Sequence, residues 1–166
     1  ISGYMSINMG AIPYITNAVG GVKVTVLDDL SDAGRGVNLV AGEEKVLNGS
    51  EAYVYVRKRD TDAFGSADAR LRRQEQFITS FITSLNQNSV ERQSQAVAIY
   101  NAVADYLVTD VDFETLVGTL LGYEFDESNI YTVPGETVQG SEFEEFYVDE
   151  EALYDLIIQM FYKEVE

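Results

Sequence analysis

Two adjacent glycines, and the pattern on either side of them, constrain this chain most. Ahead of Gly20-Gly21, Ile12, Ile15 and Val19 recur at helical spacing. They predict a helix that opens at Met9, carries Pro13 in its first turns and runs to Ala18. Proline suits a first turn, where the backbone N–H has no intrahelical partner. The glycines tolerate the left-handed backbone that ends a helix. Behind them, Val22-Lys23-Val24-Thr25-Val26-Leu27 alternates with period two and is β-branched, the mark of a half-buried strand. Tyr4-Met5-Ser6-Ile7-Asn8 reads as a short strand ahead of the helix. Strand, helix, Gly-Gly, strand is a compact α/β unit, so the fold class is α/β.

The remaining chain is less regular. Residues 28–41 read as a loop, with Asp28, Asp29, Ser31, Asp32, Gly34 and Gly36. Gly49 reads as the end of a short turn, and Ser50 as the N-cap of a helix over 51–56. A small, polar loop over 60–69 precedes a long helix over 69–86. Further helices are expected over 90–107, over 113–121 behind Asp112, and over 150–162. Strands are expected over 129–133 and 143–148, separated by a Pro134-Gly135 turn. No internal repeat is visible. A length of 166 residues suits one domain. The chain begins with Ile, and a strand follows almost at once, so a piece of a longer protein is expected.

The absence of His and Cys removes whole classes of chemistry. There can be no Ser-His-Asp triad, Cys-His dyad, disulfide, thiolate zinc site or iron–sulfur cluster. A bound metal would be a hard, oxygen-ligated ion such as Mg²⁺ or Ca²⁺. The net charge of −17 argues against nucleic acid as a partner. That charge is unevenly spread. Residues 1–104 hold 11 acids and 10 bases, whereas residues 105–166 hold 17 acids and one base. Six of the 11 bases fall between residues 57 and 73.

Those six lie in Tyr55-Val56-Arg57-Lys58-Arg59-Asp60 and Asp68-Ala69-Arg70-Leu71-Arg72-Arg73-Gln74. In an extended backbone Arg57 and Arg59 point the same way. On the following helix Arg70, Arg73 and Gln74 share a face. Such a group, set near a helix N-terminus, suits a doubly charged oxyanion such as a pyrophosphate. Arginine-rich helix starts are also common as solvated faces paired with carboxylates, and Asp60, Asp62, Asp68 and Glu75 are close in sequence. Phe77, Ile78, Phe81 and Ile82 follow directly. They could line an apolar tunnel or simply pack as core.

These residues resemble the C-terminal portion of the LytR-CpsA-Psr family domain, also called the cell-envelope-related transcriptional attenuator domain. The resemblance is carried by Val19-Gly20-Gly21-Val22-Lys23-Val24 and by Leu39-Val40-Ala41-Gly42 with Leu47-Asn48-Gly49-Ser50-Glu51-Ala52. It continues through Tyr55-Val56-Arg57-Lys58-Arg59 and Arg70-Leu71-Arg72-Arg73-Gln74-Glu75-Gln76. Residues of about 4–90 carry these motifs, and about 91–166 form a helix and strand tail. The resemblance implies an α/β/α sandwich around a mixed sheet, with residues 1–166 as the C-terminal part of one domain. It implies a phosphotransferase that moves a glycopolymer, such as teichoic acid or capsule, from a polyprenyl-pyrophosphate carrier onto peptidoglycan.

By the same resemblance, Arg57, Arg59, Arg70 and Gln74 match the residues that hold the pyrophosphate, with Arg73 assisting. Mg²⁺ is expected in the parent protein, on ligands in an N-terminal half. A membrane anchor there would place the protein outside the cytoplasm. The family sets an Asp three residues before the position of Arg70, whereas Asp68 stands two before it. Two other readings are a transcription regulator, as the older family name suggests, and a non-catalytic isoprenoid-phosphate-binding or scaffold domain. No basic recognition helix supports the former.

Overall fold

The computed structural model describes residues 3–86, 92–122 and 130–162. The expected α/β opening is present. Strand β1 (Met5–Ile7) leads through a 3₁₀ turn into helix α1 (Ile12–Ala18), and β2 (Val22–Thr25) follows. Gly20 and Gly21 take φ of 78° and 104°, so glycine is needed at both. Val22, Val24 and Val26 point inward, and Lys23 and Thr25 outward.

Residues 28–41 are not a plain loop. They hold a hairpin of β3 (Leu30–Asp32) and β4 (Val37–Leu39), whose Val37 and Leu39 are buried. Residues 44–47 are likewise a strand, β5 (Glu44–Leu47), antiparallel to β2 with Val22 opposite Leu47. Gly49 does not end a turn. It is the first residue of α2 (Gly49–Arg57), and Asn48, not Ser50, is the N-cap. Asn48 Oδ1 accepts the Glu51 N–H at 3.1 Å, and Glu51 Oε2 accepts the Asn48 N–H at 3.0 Å. That reciprocal pair satisfies two donors that the helix cannot.

Helix α3 (Ser66–Asn86) starts three residues earlier than the pattern suggests. Helix α4 (Arg92–Val103) stops before the expected Leu107. After a 3₁₀ turn, residues 107–109 form β6 (Leu107–Thr109), which pairs antiparallel with β1. The short strand is recruited by its partner rather than by its own pattern. Asp112 caps α5 (Phe113–Gly122), accepting the Thr115 N–H at 2.9 Å. Residues 130–134 are irregular, and the hairpin is β7 (Gly135–Gln139) with β8 (Glu144–Val148). Its turn lies at 140–143, where the Gly140 N–H meets Phe143 O at 3.0 Å. Asp149 then caps α6 (Glu150–Phe161). Residue 129 of the expected strand and residues 90–91 of the expected helix lie outside the described residues.

The fold is thus α/β, and among the described residues all four strand pairings are antiparallel and two-stranded. One core joins them: Val22, Val24, Val26, Val37, Leu39 and Leu47 from the strands meet Ala52, Val54, Tyr55 and Val56 of α2 and Phe77 of α3. Fully burying an aliphatic side chain of this kind stabilises by roughly 1.5–3 kcal/mol. Packing of α3 against both α2 and β2 sets the corner where the arginines gather.

Candidate anion-binding site at the α2–α3 corner

Helix α2 ends at Arg57, and Lys58 leaves it in an extended conformation with ψ of 132°. Arg57 is therefore helical, not one of an extended pair with Arg59. The two side chains go to different partners. Arg57 turns back one helical turn, donates to the Tyr53 hydroxyl and lies 4.9 Å from the Tyr53 ring centroid. Arg59 reaches forward, donating from Nε to Ser66 Oγ at 3.0 Å and pairing through Nη2 with Glu144 Oε2 at 3.1 Å.

Arg73 lies beneath the corner rather than at its surface. Only 3% of it is exposed. Its Nε donates to Tyr55 O at 2.8 Å, and its other nitrogens donate to Lys58 O and pair with Asp28. The last carbonyls of a helix have no intrahelical N–H, and a cation there also meets the negative end of the helix dipole. Gln74 does related work, donating from Nε2 to Val56 O at 3.0 Å. One N–H of that amide remains available. Helix α3 therefore caps the C-terminus of α2 with two of the side chains that the pattern assigns to the anion.

Arg70 differs. It is half-buried, and among the described residues it has no hydrogen bond or ion pair. With Arg59 and Gln74 it lines a cleft of about 650 Å³ between α3, the β7–β8 hairpin and residues 130–133. Leu71, Ile130, Val133 and Phe146 supply its apolar wall, and all four are substantially exposed. Asp68 is at the same cleft and accepts a hydrogen bond from Thr137 Oγ1 at 3.2 Å. The structure thus brings Arg59, Arg70 and Gln74 together, sets Arg57 apart beside Tyr53, and buries Arg73.

The aromatic and aliphatic stripe of α3 divides. Phe77 is 8% exposed and belongs to the core, with Phe81 packed behind it at 6.3 Å between rings. Ile78 is 51% exposed and Ile82 half-buried. None of the four lines the cleft. Beneath the corner, burial raises the Tyr55 phenol above its usual 10.0, while the Leu27 N–H and the Arg73 charge pull it back. Among the described residues no group of three or more carboxylates comes together to hold a metal ion. No described helix is long and apolar enough to cross a membrane.

Glu144, Ser66 and the apolar wall carry no local signal in the sequence. Glu144 stands 85 positions from Arg59, in a segment whose excess of acid reads as solvated surface.

The LytR_cpsA_psr family model matches residues 1–160. A polyisoprenyl-teichoic acid–peptidoglycan teichoic acid transferase, TagU of Enterococcus faecalis, is 32% identical over 124 residues, 74% of this chain and 39% of that protein. The cell wall biosynthesis protein LcpA of Corynebacterium glutamicum is 29% identical over 114 residues, 68% of this chain and 22% of that protein. The crystal structure of B. subtilis TagV is similar in fold, with a TM-score of 0.69 and 22% identity over 99% of this chain and 66% of that one. The chain spans well under half the length of these two curated relatives. With its family model matched over nearly its whole length, the chain belongs to the LytR_cpsA_psr family.

Proposed function

We propose that this chain is the C-terminal part of an envelope phosphotransferase domain that binds a polyprenyl-pyrophosphate-linked glycopolymer and passes the polymer to peptidoglycan. The observation that carries the reading is Arg70. A half-buried guanidinium with no protein partner among the described residues faces a cleft that also holds Arg59 and the Gln74 amide. Desolvated positive charge of this kind favours a bound oxyanion. The apolar wall of Leu71, Ile130, Val133 and Phe146 runs from the same cleft and suits the first isoprene units of a carrier.

In the proposed reaction a peptidoglycan hydroxyl attacks the phosphorus that bears the glycan. A new P–O bond forms, the bond to the bridging oxygen breaks, and polyprenyl monophosphate leaves. The hydroxyl proton goes to solvent or to the departing phosphate. Arg59 and Arg70 would hold the equatorial oxygens and offset their growing charge, which is most of what phosphoryl transfer asks of a protein.

Mg²⁺ is part of the reading for a longer protein, but the described residues lack a carboxylate group suited to it, so no step here depends on it. The names of the two curated relatives support an envelope role, and an extracytoplasmic, membrane-anchored parent is proposed with it. The test is titration of geranyl pyrophosphate into the full-length protein. Arg70→Ala should weaken binding about tenfold or more, the usual loss for one charge-assisted contact. Unchanged affinity would reject the assignment.

A further inference from the structure

The cleft at Arg70 has a neighbour. A pocket of about 430 Å³ adjoins it, and Arg59 and Asp68 line both. Helix α3 turns Arg70 and Gln74 to the larger cleft and Arg72 and Arg73 to the pocket. Phe64 stands in the pocket among the carboxylates of Asp28, Asp29 and Asp60 and the cations of Lys58 and Arg72. Four carboxylates and four cations line it in all, so a neutral ligand fits it better than a second anion does.

The Phe64 ring is 60% exposed, on a loop that is fixed in place. Glu144 accepts the Gly65 N–H, and Arg59 Nε donates to Ser66 Oγ at 3.0 Å. The acceptor oxygens are fixed too. Asp29 Oδ1 accepts the Ala41 N–H at 2.8 Å, and Asp60 Oδ1 accepts the Asp62 N–H at 3.1 Å. The second oxygen of each has no hydrogen bond among the described residues. A bare aromatic ring beside oriented, open acceptors suits a sugar, which lays its C–H face on the ring and donates its hydroxyls to the carboxylates. Little ordering is left to be done on binding.

The reaction itself asks for a ligand on this side. In phosphoryl transfer the attacking and leaving oxygens lie roughly in line. A carrier whose isoprene units rest on Leu71, Ile130, Val133 and Phe146 directs its leaving oxygen into the larger cleft. The attacking hydroxyl then arrives from the opposite side, past Arg59 and Asp68, where the pocket lies.

We propose that this pocket is the acceptor subsite, which seats an amino-sugar ring of the peptidoglycan strand on Phe64 with its hydroxyls on Asp29 and Asp60. The strand is thereby held with a hydroxyl toward the phosphorus at Arg59 and Arg70. The proposal rests on the phosphotransferase reading above for the identity of the acceptor, and the bonds formed and broken are unchanged.

The experiment titrates three probes separately into the full-length protein: a soluble peptidoglycan tetrasaccharide, geranyl pyrophosphate, and geranyl-pyrophosphoryl N-acetylglucosamine. Phe64 is exposed and outside the core, so Phe64→Ala leaves the fold intact. It should weaken the tetrasaccharide about three- to tenfold and leave both lipid probes unchanged. Phe143→Ala, 75% exposed and outside the pocket, should change none of the three. The proposal is overturned if the wild-type protein does not bind the tetrasaccharide, or if Phe64→Ala binds it as tightly as the wild type does. It is also overturned if Phe64→Ala weakens the sugar-bearing lipid probe but not geranyl pyrophosphate, which would give the pocket to the donor's sugar. Failure of Arg70→Gln to weaken geranyl pyrophosphate would sink the reading of the larger cleft alone, with the pocket still judged on the tetrasaccharide.

Discussion

Glu144 Oε2 lies 3.1 Å from Nη2 of Arg59, and its other oxygen accepts the backbone N–H of Gly65. One carboxylate on β8 thus orients the arginine at the cleft and ties down the loop that carries it. Glu144→Ala should cost about 1–3 kcal/mol, the range for losing partly buried charge-assisted bonds. Glu144→Gln keeps an acceptor but removes a charge that competes with a bound anion. It should bind geranyl pyrophosphate a few times more tightly, by roughly the strength of a screened charge contact. Urea unfolding and calorimetric titration read the two effects. Weaker binding by Glu144→Gln would mean that the carboxylate serves the anion and does not oppose it.

Arg70 and Arg73 sit one turn apart and should respond oppositely to removal. Arg73→Leu leaves Tyr55 O and Lys58 O without a donor and Asp28 without its counter-ion. Breaking a buried ion pair from one side typically costs about 3–5 kcal/mol. Asp28 is partly solvated, which places this case toward the lower end. Arg70→Leu should change stability by less than about 0.5 kcal/mol while weakening pyrophosphate binding about tenfold or more. Equal losses of stability in the two variants would contradict the division drawn here between a cap and a ligand.

The same pair shows how far the sequence could be read. Spacing put Arg70, Arg73 and Gln74 on one face of a helix, and they share it. It could not show that this face meets the C-terminus of α2, where the deeper arginine is drawn to unpaired carbonyls. Strand β2 was legible because its buried valines, Val22 and Val24, alternate with the outward Lys23 and Thr25. Strands β3, β4 and β6 were not, since each has three residues and forms only against its partner. At the start of α2, Asn48 and Ser50 are both good caps, and only the reciprocal bond from Glu51 selects the first. Arg35 read as a loop residue until the hairpin brought it to Tyr53.

Tyr55 links three elements through one hydroxyl. It accepts the Leu27 N–H at 3.2 Å and donates to Gln76 Oε1 at 2.5 Å, while Gln76 Nε2 donates to Thr25 O at 3.0 Å. Tyr55→Phe should destabilise by about 1–2 kcal/mol through the groups left unpaired. The pH dependence follows from burial, which raises the folded phenol above 10.0. The folded state then holds the proton more tightly than the unfolded state. Its contribution is complete below about pH 10 and is lost as pH rises through the folded value. The stability gap between wild type and Tyr55→Phe should therefore be flat from neutral pH to about 9 and narrow above 10. A gap that widened with alkali would reject this account.

Gly49 packs the start of α2 tightly against α1. A Cβ built there would meet the backbone of Pro13, with Pro13 Cα at 2.8 Å, and the Asn17 amide at 2.9 Å. Asn17 Oδ1 also accepts the Gly49 N–H at 2.9 Å, so the side chain cannot swing away without losing a bond. Backbone cannot give as a flexible side chain does, so Gly49→Ala must push the helices apart. Overpacking of this kind costs about 1–3 kcal/mol, and the lost hydrogen bond adds to it. Gly34→Ala is the matched control: its added Cβ would only touch Asp32 Oδ1 at 3.4 Å, in an exposed turn. It should change stability by less than about 0.5 kcal/mol. Because α2 leads through Lys58 directly into Arg59 at the cleft, Gly49→Ala should also weaken anion binding, whereas Gly34→Ala should not. Chemical denaturation of both variants would settle the comparison, and equal midpoints would show that α1 and α2 have room that the structure denies them.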